Sequence, residues 1–442
     1  MTTRRESVLG ARPLVGALYP PGDKSISHRA LIFNAVAEGE ALVRGLLDSA
    51  DVDSTKRCLR GLGVQIEEVG LGEVIVYGRG WSLDEPAAVL DCGNSGTTMR
   101  LLGGLLAGQP MHVVLTGGGS LCKRPMGRIV EPLRKMGARI DGRVGGELAP
   151  LSIRGGALRN IDYRCPISSG QVKTAMLLAG LQGQGELVHH EPRVSRDHSE
   201  RMLSAMGVAV RCFDRFVAVQ GGSRLHAMDM DVPGDFSSSM FFLVGASVIG
   251  GSQLTLRSVG LNPTRTGGLD VLRKMGARIE VSDSQVVCGE PRGDLHVQYT
   301  PLTGVDIGGD DIPRLIDEIP ILAIAAACAR GETTIRDASE LRVQGTDRIA
   351  ATVKMLRCLG VEVEERPDGM VIDGRGGALE PTEIDSFGDH RIAMAGAIGL
   401  AATYGDRRGY VTRADAVSVS FPDFFPLLFA LQTEHERLNT LT

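Results

Sequence analysis

Six apolar runs of helical length recur along the chain at roughly 70-residue spacing, each opening on a polar cluster and ending near a glycine. The openings are Gly22-Asp23-Lys24-Ser25, Gly93-Asn94-Ser95-Gly96, Ser168-Ser169-Gly170-Gln171, Gly234-Asp235-Phe236-Ser237, Asp317-Glu318 and Gly388-Asp389-His390-Arg391. Most of the leading polar residues are helix-capping types, so the pattern predicts six helices. A helix start carries free backbone N–H groups and the positive end of the dipole, and so suits an anion. Six starts bearing Lys, Arg, Ser, Asn and Gln predict a shared anion site assembled by repetition. A second series supports the periodicity: residues 57–66 (RCLRGLGVQI), 133–140 (LRKMGARI), 203–210 (LSAMGVAV), 272–279 (LRKMGARI) and 356–363 (LRCLGVEV). Each reads as an amphipathic helix, a glycine suited to the left-handed position after its end (Gly63, Gly137, Gly207, Gly276, Gly360), then an alternating strand. Five copies predict a repeat architecture of sheets and helices.

Pro20-Pro21 punctuates the boundary between a short strand at 14–19 and the first helix start, and residues 231–235 repeat that punctuation near the middle. Three runs precede the second boundary and three follow it. The expected division is two α/β domains of three repeats each: residues 21–234, and residues 1–20 plus 235–442. Two neighbouring crossings would make a hinge, with the polar helix starts facing each other across a cleft. A single continuous α/β domain is the alternative, and it leaves the three-plus-three pattern unexplained. Only the tail after Ala430 reads as loosely tied.

Composition narrows the anion. At 43% hydrophobic and 23% charged, the 442 residues can bury substantial cores. The 4% aromatic content and single tryptophan speak against stacking on nucleic acid, and the net charge of −5 against general phosphate-backbone binding. Any anion site must be a local concentration of basic residues. The eight cysteines form no CxxC pair and read as small apolar or incidental residues of a reducing cell. The first twenty residues are basic without a signal-peptide apolar core, and the most apolar run, 319–329, is too short to span a bilayer. A cytoplasmic protein is the expectation.

The chemistry-bearing residues gather at the helix starts. Lys24 offers a mobile charge and Ser25 a hydroxyl, with Arg29 one turn further along. Asn94 is bracketed by glycines, and Gly96 lets a ligand approach the backbone. Arg124 precedes a proline, on a turn where its fork suits a carboxylate or phosphate; a structural salt bridge is the other reading. Ser168 and Ser169 can bond phosphate oxygens before Gln171, although capping accounts for one of them. Ser195-Arg196-Asp197-His198 follows. Asp317 introduces a very apolar helix and is either a cap or a general base. Arg348 and Arg391 begin helices where the dipole disfavours cations, which an anionic ligand between them would relieve.

Seven motifs in order, PGDKSISHRA, GNSGTTMR, RPMGRIVEPL, SSGQVKTAML, IDEIPILAIAA, TDR and GDHRIAMA, span nearly the whole chain. Together they resemble the 5-enolpyruvylshikimate-3-phosphate synthases, or 3-phosphoshikimate 1-carboxyvinyltransferases. The resemblance implies two domains of three βαβαββ units each, an inside-out α/β barrel, with the active site in the interdomain cleft. It implies two small anionic substrates, shikimate 3-phosphate and phosphoenolpyruvate, and a step of aromatic amino acid biosynthesis through the shikimate pathway and chorismate. No metal or organic cofactor, nucleic acid or membrane is implied, and a monomer is expected. By motif position, Lys24 touches both substrates. Ser25, Arg29, Ser168, Ser169, Ser195, Asp317 and Gln344 hold shikimate 3-phosphate, while Asn94, Gly96, Arg124, Gln171, Arg348 and Arg391 hold phosphoenolpyruvate. Lys24 and Asp317 are the catalytic pair, Asp317 accepting the proton of the attacking 5-hydroxyl.

Four positions depart from the family, two of them sharply. Where it usually reads Arg-Val-Lys-Glu-(Ser/Thr)-Asp-Arg, this chain has Gln344 and Gly345. Gln344 replaces a lysine that contacts shikimate 3-phosphate, and Gly345 a glutamate implicated in proton transfer. His198 and Val419 are milder departures, from a tyrosine and a lysine of some members. A non-catalytic homologue binding the same anions is therefore one alternative. The UDP-N-acetylglucosamine enolpyruvyl transferases, of the same fold, are another. That family has asparagine where Ser25 stands and usually cysteine at the position of Gly119. The departure is testable: Gln344→Lys with Gly345→Glu should raise kcat in a steady-state assay. The lysine should act mainly on binding and the glutamate on the chemical step.

Overall fold

Both helix series form, and they alternate. The computed structural model describes residues 4–343, 346–377 and 379–439, so Gln344 and Gly345 lie outside the described residues. In chain order the longer helices are α1 (Lys24–Ala35), α2 (Ala50–Gly61), α3 (Gly96–Ala107), α4 (Gly127–Lys135), α5 (Gly170–Gly180) and α6 (His198–Ala205). They continue with α7 (Phe236–Val248), α8 (Gly267–Lys274), α9 (Ile319–Cys328), α10 (Arg348–Cys358), α11 (His390–Ala401) and α12 (Phe424–Asn439). The odd-numbered helices are the six apolar runs. Side chains of Asp23, Ser95, Ser169, Asp235 and Asp389 cap five of them by accepting a first-turn backbone N–H. The exception is α9, which follows a 3-10 turn at Ile316–Glu318 and has no side-chain cap. Being apolar all round, α9 can only be stable at a centre, and all ten of its residues are buried. The even helices bury one face. The glycines after five of them take positive φ, from 78° at Gly360 to 110° at Gly137, the left-handed exit that favours glycine.

Each repeat but the last runs short strand, odd helix, parallel strand, even helix, antiparallel hairpin. Thus Leu90–Asp91 pairs in parallel with His112–Thr116 across α3, and after α4 the hairpin Arg139–Arg143/Leu148–Arg154 completes a four-stranded sheet. Two short strands exchange places. Val15–Leu18, which precedes α1, pairs in parallel with Gln253–Leu256 after α7. Met230–Asp231, which precedes α7, pairs in parallel with Val43–Arg44 after α1. The chain accordingly forms two units. One comprises Gly22–Pro233 with Val286–Glu290, and the other Met1–Pro21, Gly234–Gln285 and Pro291–Thr442. These are called the first and second unit below. Among the described residues the last repeat of the second unit has no terminal hairpin; Arg5–Leu9 pairs antiparallel with Arg408–Thr412 in its place.

The first unit's core gathers around α1, α3 and α5. Helices α3 and α5 approach so closely at Gly104 that a Cβ there would lie 2.1 Å from the Ala175 carbonyl oxygen. The second unit's core is sealed by aromatic rings: Phe242 of α7 lies 5.5 Å from Phe424 of α12, which lies 5.7 Å from Phe421. The tail beyond Ala430 corrects the expectation of a loose end. It continues α12 to Asn439, with Leu431 and Gln432 buried and the Gln432 amide donating to the Leu9 carbonyl at 3.1 Å. Because the atoms facing Gly104 are backbone and cannot swing aside, Gly104→Ala should destabilise the first unit by about 1–3 kcal/mol, read as a lowered urea midpoint.

Candidate active site

In the first unit, the start of α1 is built for close approach. Gly22 is fixed by packing, since a Cβ there would lie 1.8 Å from the Gly45 carbonyl oxygen. The Lys24 ammonium, a quarter exposed, pairs with Asp51 in the first turn of α2. Burial raises the Asp51 carboxyl pKa, but Lys24 more than offsets this and holds it below the ordinary value. Ser25 is half-buried at the same start. Arg29 is buried, and most of its donors serve the protein. Nε donates to Ser199 Oγ at 2.8 Å, Nη1 to the Ser25 carbonyl at 2.8 Å, and Nη2 to Thr174 Oγ1 at 2.7 Å and the Gly170 carbonyl at 3.2 Å. Arg29 therefore ties α1 to the starts of α5 and α6.

A buried polar chain ties the start of α3 to α1 and α2. His28 Nδ1 bonds Thr55 Oγ1 at 2.7 Å, Thr55 bonds Thr98 at 2.7 Å, and Thr98 donates to Ser95 Oγ at 2.8 Å. Beside this, Gly96, Arg100, Arg124 and Gln171 gather. A Cβ at Gly96 would meet Arg100 Nη1 at 3.1 Å and Arg124 Nη1 at 3.4 Å. Arg100 Nη1 donates to Gln171 Oε1 at 2.6 Å, and Gln171 Nε2 donates to Thr97 Oγ1 at 2.9 Å. Asn94 is exposed in the turn just before. Ser169 caps α5, whereas Ser168 exchanges two hydrogen bonds with the Arg193 backbone, donating at 2.7 Å and accepting at 2.9 Å. The second serine thus has a job apart from capping: it fastens the loop that carries Ser195. Ser195 is buried, and both its N–H and its hydroxyl donate to Glu191, at 2.7 and 3.0 Å.

In the second unit, one carboxylate organises the site. Asp317 is no cap, since α9 has none. Its Oδ1 lies 3.4 Å from Arg348 Nη1 and 3.4 Å from Arg391 Nε, its Oδ2 lies 3.9 Å from Arg265 Nη1, and its carbonyl accepts from Arg391 Nη1 at 3.1 Å. Arg348 also donates through Nε to Asp389 Oδ2 at 2.8 Å. Burial opposes the Arg348 charge, yet Asp389 and Asp317 raise its pKa above the ordinary value. Burial likewise pushes the Asp389 carboxyl up, but Arg348 prevails and holds it well below the usual carboxylate range. Arg391 is pulled below its ordinary value, chiefly by burial. The cations at the starts of α10 and α11 are therefore relieved first by protein carboxylates, where a ligand alone was expected. The arrangement offers a carboxylate proton acceptor held among three guanidinium groups suited to anions.

Sequence reasoning assigned no site role to Asp51, Arg100 or Arg265. Arg100 stood inside a quoted motif; the other two are paired only by the fold. Among the described residues no cluster of three His, Cys, Asp or Glu could hold a metal ion, and no helix is long and apolar enough to cross a membrane.

Such βαβαββ repeats with anion-suited helix starts define a known class, the enolpyruvyl transferase fold. The enolpyruvyl transferase NikO from Streptomyces tendae superposes with a TM-score of 0.78 over 97% of this chain and 98% of that one, at 16% identity, a likeness of fold alone. EPSP synthase from Acinetobacter baumannii superposes with a TM-score of 0.87 at 41% identity, again over 97% and 98%. The chain belongs to the EPSP synthase (3-phosphoshikimate 1-carboxyvinyltransferase) family, whose model matches residues 8–428. The 3-phosphoshikimate 1-carboxyvinyltransferase of Bacillus licheniformis is 50% identical over 413 residues, 93% of this chain and 96% of its own length. That of a Synechococcus strain is 52% identical over 422 residues, 95% and 94% of the two chains.

The buried chain from His28 gives a pH signature. Burial, above all, lowers the His28 imidazole from its ordinary 6.5 to about 3. The folded form then stays neutral where the unfolded chain takes up a proton. Stability is fully present above the ordinary value and is lost as pH falls from 6.5 towards 3, at about 1.4 kcal/mol per pH unit for one proton. Denaturant midpoints measured from pH 7 to pH 4 should fall less steeply in His28→Gln than in the parent.

Proposed function

We propose that this protein transfers the enolpyruvyl group of phosphoenolpyruvate to the 5-hydroxyl of shikimate 3-phosphate and releases phosphate. Family membership supports the reaction, and the observation that carries its chemistry here is Asp317 held among Arg265, Arg348 and Arg391. Asp317 accepts the proton of the attacking hydroxyl. The oxygen attacks the enolpyruvyl carbon while the methylene takes up a proton, giving a tetrahedral intermediate; loss of phosphate together with one proton of the new methyl group then restores the double bond. Arginines fixed by Asp389 and Asp317 need no reorganisation when charge moves, which is how preorganised dipoles and charges lower a barrier. Lys24, Asn94, Gly96, Arg124, Gln171, Arg348 and Arg391 are assigned to phosphoenolpyruvate. Lys24 also serves shikimate 3-phosphate, with Ser25, Ser168, Ser169, Ser195, Asp317 and, outside the described residues, Gln344. Arg29 is kept in this set, with one guanidinium N–H left after its four protein bonds. The protein works in the cytoplasm as a monomer and feeds the shikimate pathway.

Phosphate release from the purified protein tests this, and it should require both substrates together. Asp317→Asn keeps the shape and removes the base. It should lower kcat by about 10²–10⁴-fold while shikimate 3-phosphate binding stays measurable by calorimetry. Unchanged turnover in that variant would show that the proton leaves by another group.

A further inference from the structure

The three residues that join Ser195 to α5 and α6 form a buried charge row that the reaction as assigned does not use. Lys173 Nζ lies 2.9 Å from Glu191 Oε1 and 2.6 Å from Glu200 Oε1, and it donates to the Ser195 carbonyl at 3.3 Å. All three charged side chains are over nine-tenths buried, Lys173 at 4% exposure. Glu191 Oε2 accepts the Ser195 N–H, and Oε1 accepts both Lys173 and the Ser195 hydroxyl.

A serine hydroxyl has one hydrogen. Here it points at Glu191, so towards a phosphate Ser195 would turn only lone pairs. For Ser195 to donate to a phosphate oxygen, its hydrogen must leave Glu191 Oε1. Leaving a buried carboxylate oxygen without a donor would be strongly unfavourable. Lys173 removes that obstacle, because its ammonium stays on the same oxygen. The Ser195 N–H, meanwhile, stays on Oε2 and keeps the residue in place. We infer that Glu191 and Lys173 are positioning residues that station Ser195 and release its hydroxyl to the phosphate of the substrate. Glu200 fixes Lys173 from the other side. The inference rests on the assignment of Ser195 to shikimate 3-phosphate.

The test compares two ligands that differ only in the phosphate, shikimate 3-phosphate and shikimate, by calorimetry on the intact protein. Lys173→Met should weaken shikimate 3-phosphate roughly tenfold, the scale of one hydrogen bond to a charged group, and leave shikimate within about twofold. Lys173→Arg should recover most of the loss. Where Lys173→Met does not fold, Glu191→Gln serves instead. It gives one acceptor oxygen to three donors, so the same selective loss is expected. Equal losses for both ligands would show a merely structural row, and no loss for either would also overturn the inference. Ser195→Ala separates the two levels. If it too weakens only shikimate 3-phosphate, and adding Lys173→Met weakens it no further, the release pair stands. If Ser195→Ala leaves shikimate 3-phosphate binding unchanged, the assignment of Ser195 falls and the inference with it.

Discussion

A helix buried on every side can show chemistry only at its ends. That constraint governs this molecule. With its flanks committed to packing, α9 has no solvent face on which to carry a polar side chain, and α7 and α11 are nearly as enclosed. Polar groups therefore concentrate at the helix starts, where backbone N–H groups and the dipole already favour anions. Close packing of α3 against α5 requires Gly104, and the close turn before α1 requires Gly22. The same positions that make the centre possible thus fix where Lys24, Gly96 and Gln171 can stand.

Concentrating cations in this way raises a second problem, which the structure answers with paired carboxylates. Arg348 is buried at the first position of α10, against the dipole, and Asp389, the cap of α11, neutralises it at 2.8 Å. One aspartate thus caps its own helix and orients the arginine of another. Asp317 does the corresponding service for Arg391. In the first unit, Asp51 does it for Lys24, and Glu191 with Glu200 does it for Lys173. Removing one partner from such a pair leaves an uncompensated buried charge, so these positions tolerate change poorly. Their geometry is consequently rigid, which is what recognition of two small anions demands.

The periodic part of this design was legible in the sequence, because helical repeats, caps and left-handed glycines are local signals. The six starts and the five glycines needed no long-range information. Partners distant in sequence were not legible. Nothing local links Lys24 to Asp51, Lys173 to Glu191, or Arg265 to Asp317. The role of Asp317 stayed open between cap and base, because a carboxylate before an apolar run suits both; only the uncapped start of α9 decides against the cap. Arg29 read as a ligand group from its motif, whereas four of its hydrogen bonds go to the protein. The two boundaries placed residues 1–20 with 235–442, but which strand Val15–Leu18 or Met230–Asp231 pairs with is not encoded in either short strand alone.

The frame around the departing pair Gln344-Gly345 bears on whether the site could work with them. Arg342 Nη1 donates to Asp347 at 2.8 Å and to Glu365 at 2.9 Å, while its other donors reach the carbonyls of Pro367 and Arg366. Asp347 in turn caps α10 by accepting the Ala350 N–H at 3.0 Å, which sets the helix start from which Arg348 reaches Asp317 and Asp389. This chain of contacts runs through described residues on both sides of 344 and 345. Arg348 and Asp317 are thus joined through contacts among the described residues. What a lysine and a glutamate would add there is charge and proton transfer, so their absence bears on rate and affinity.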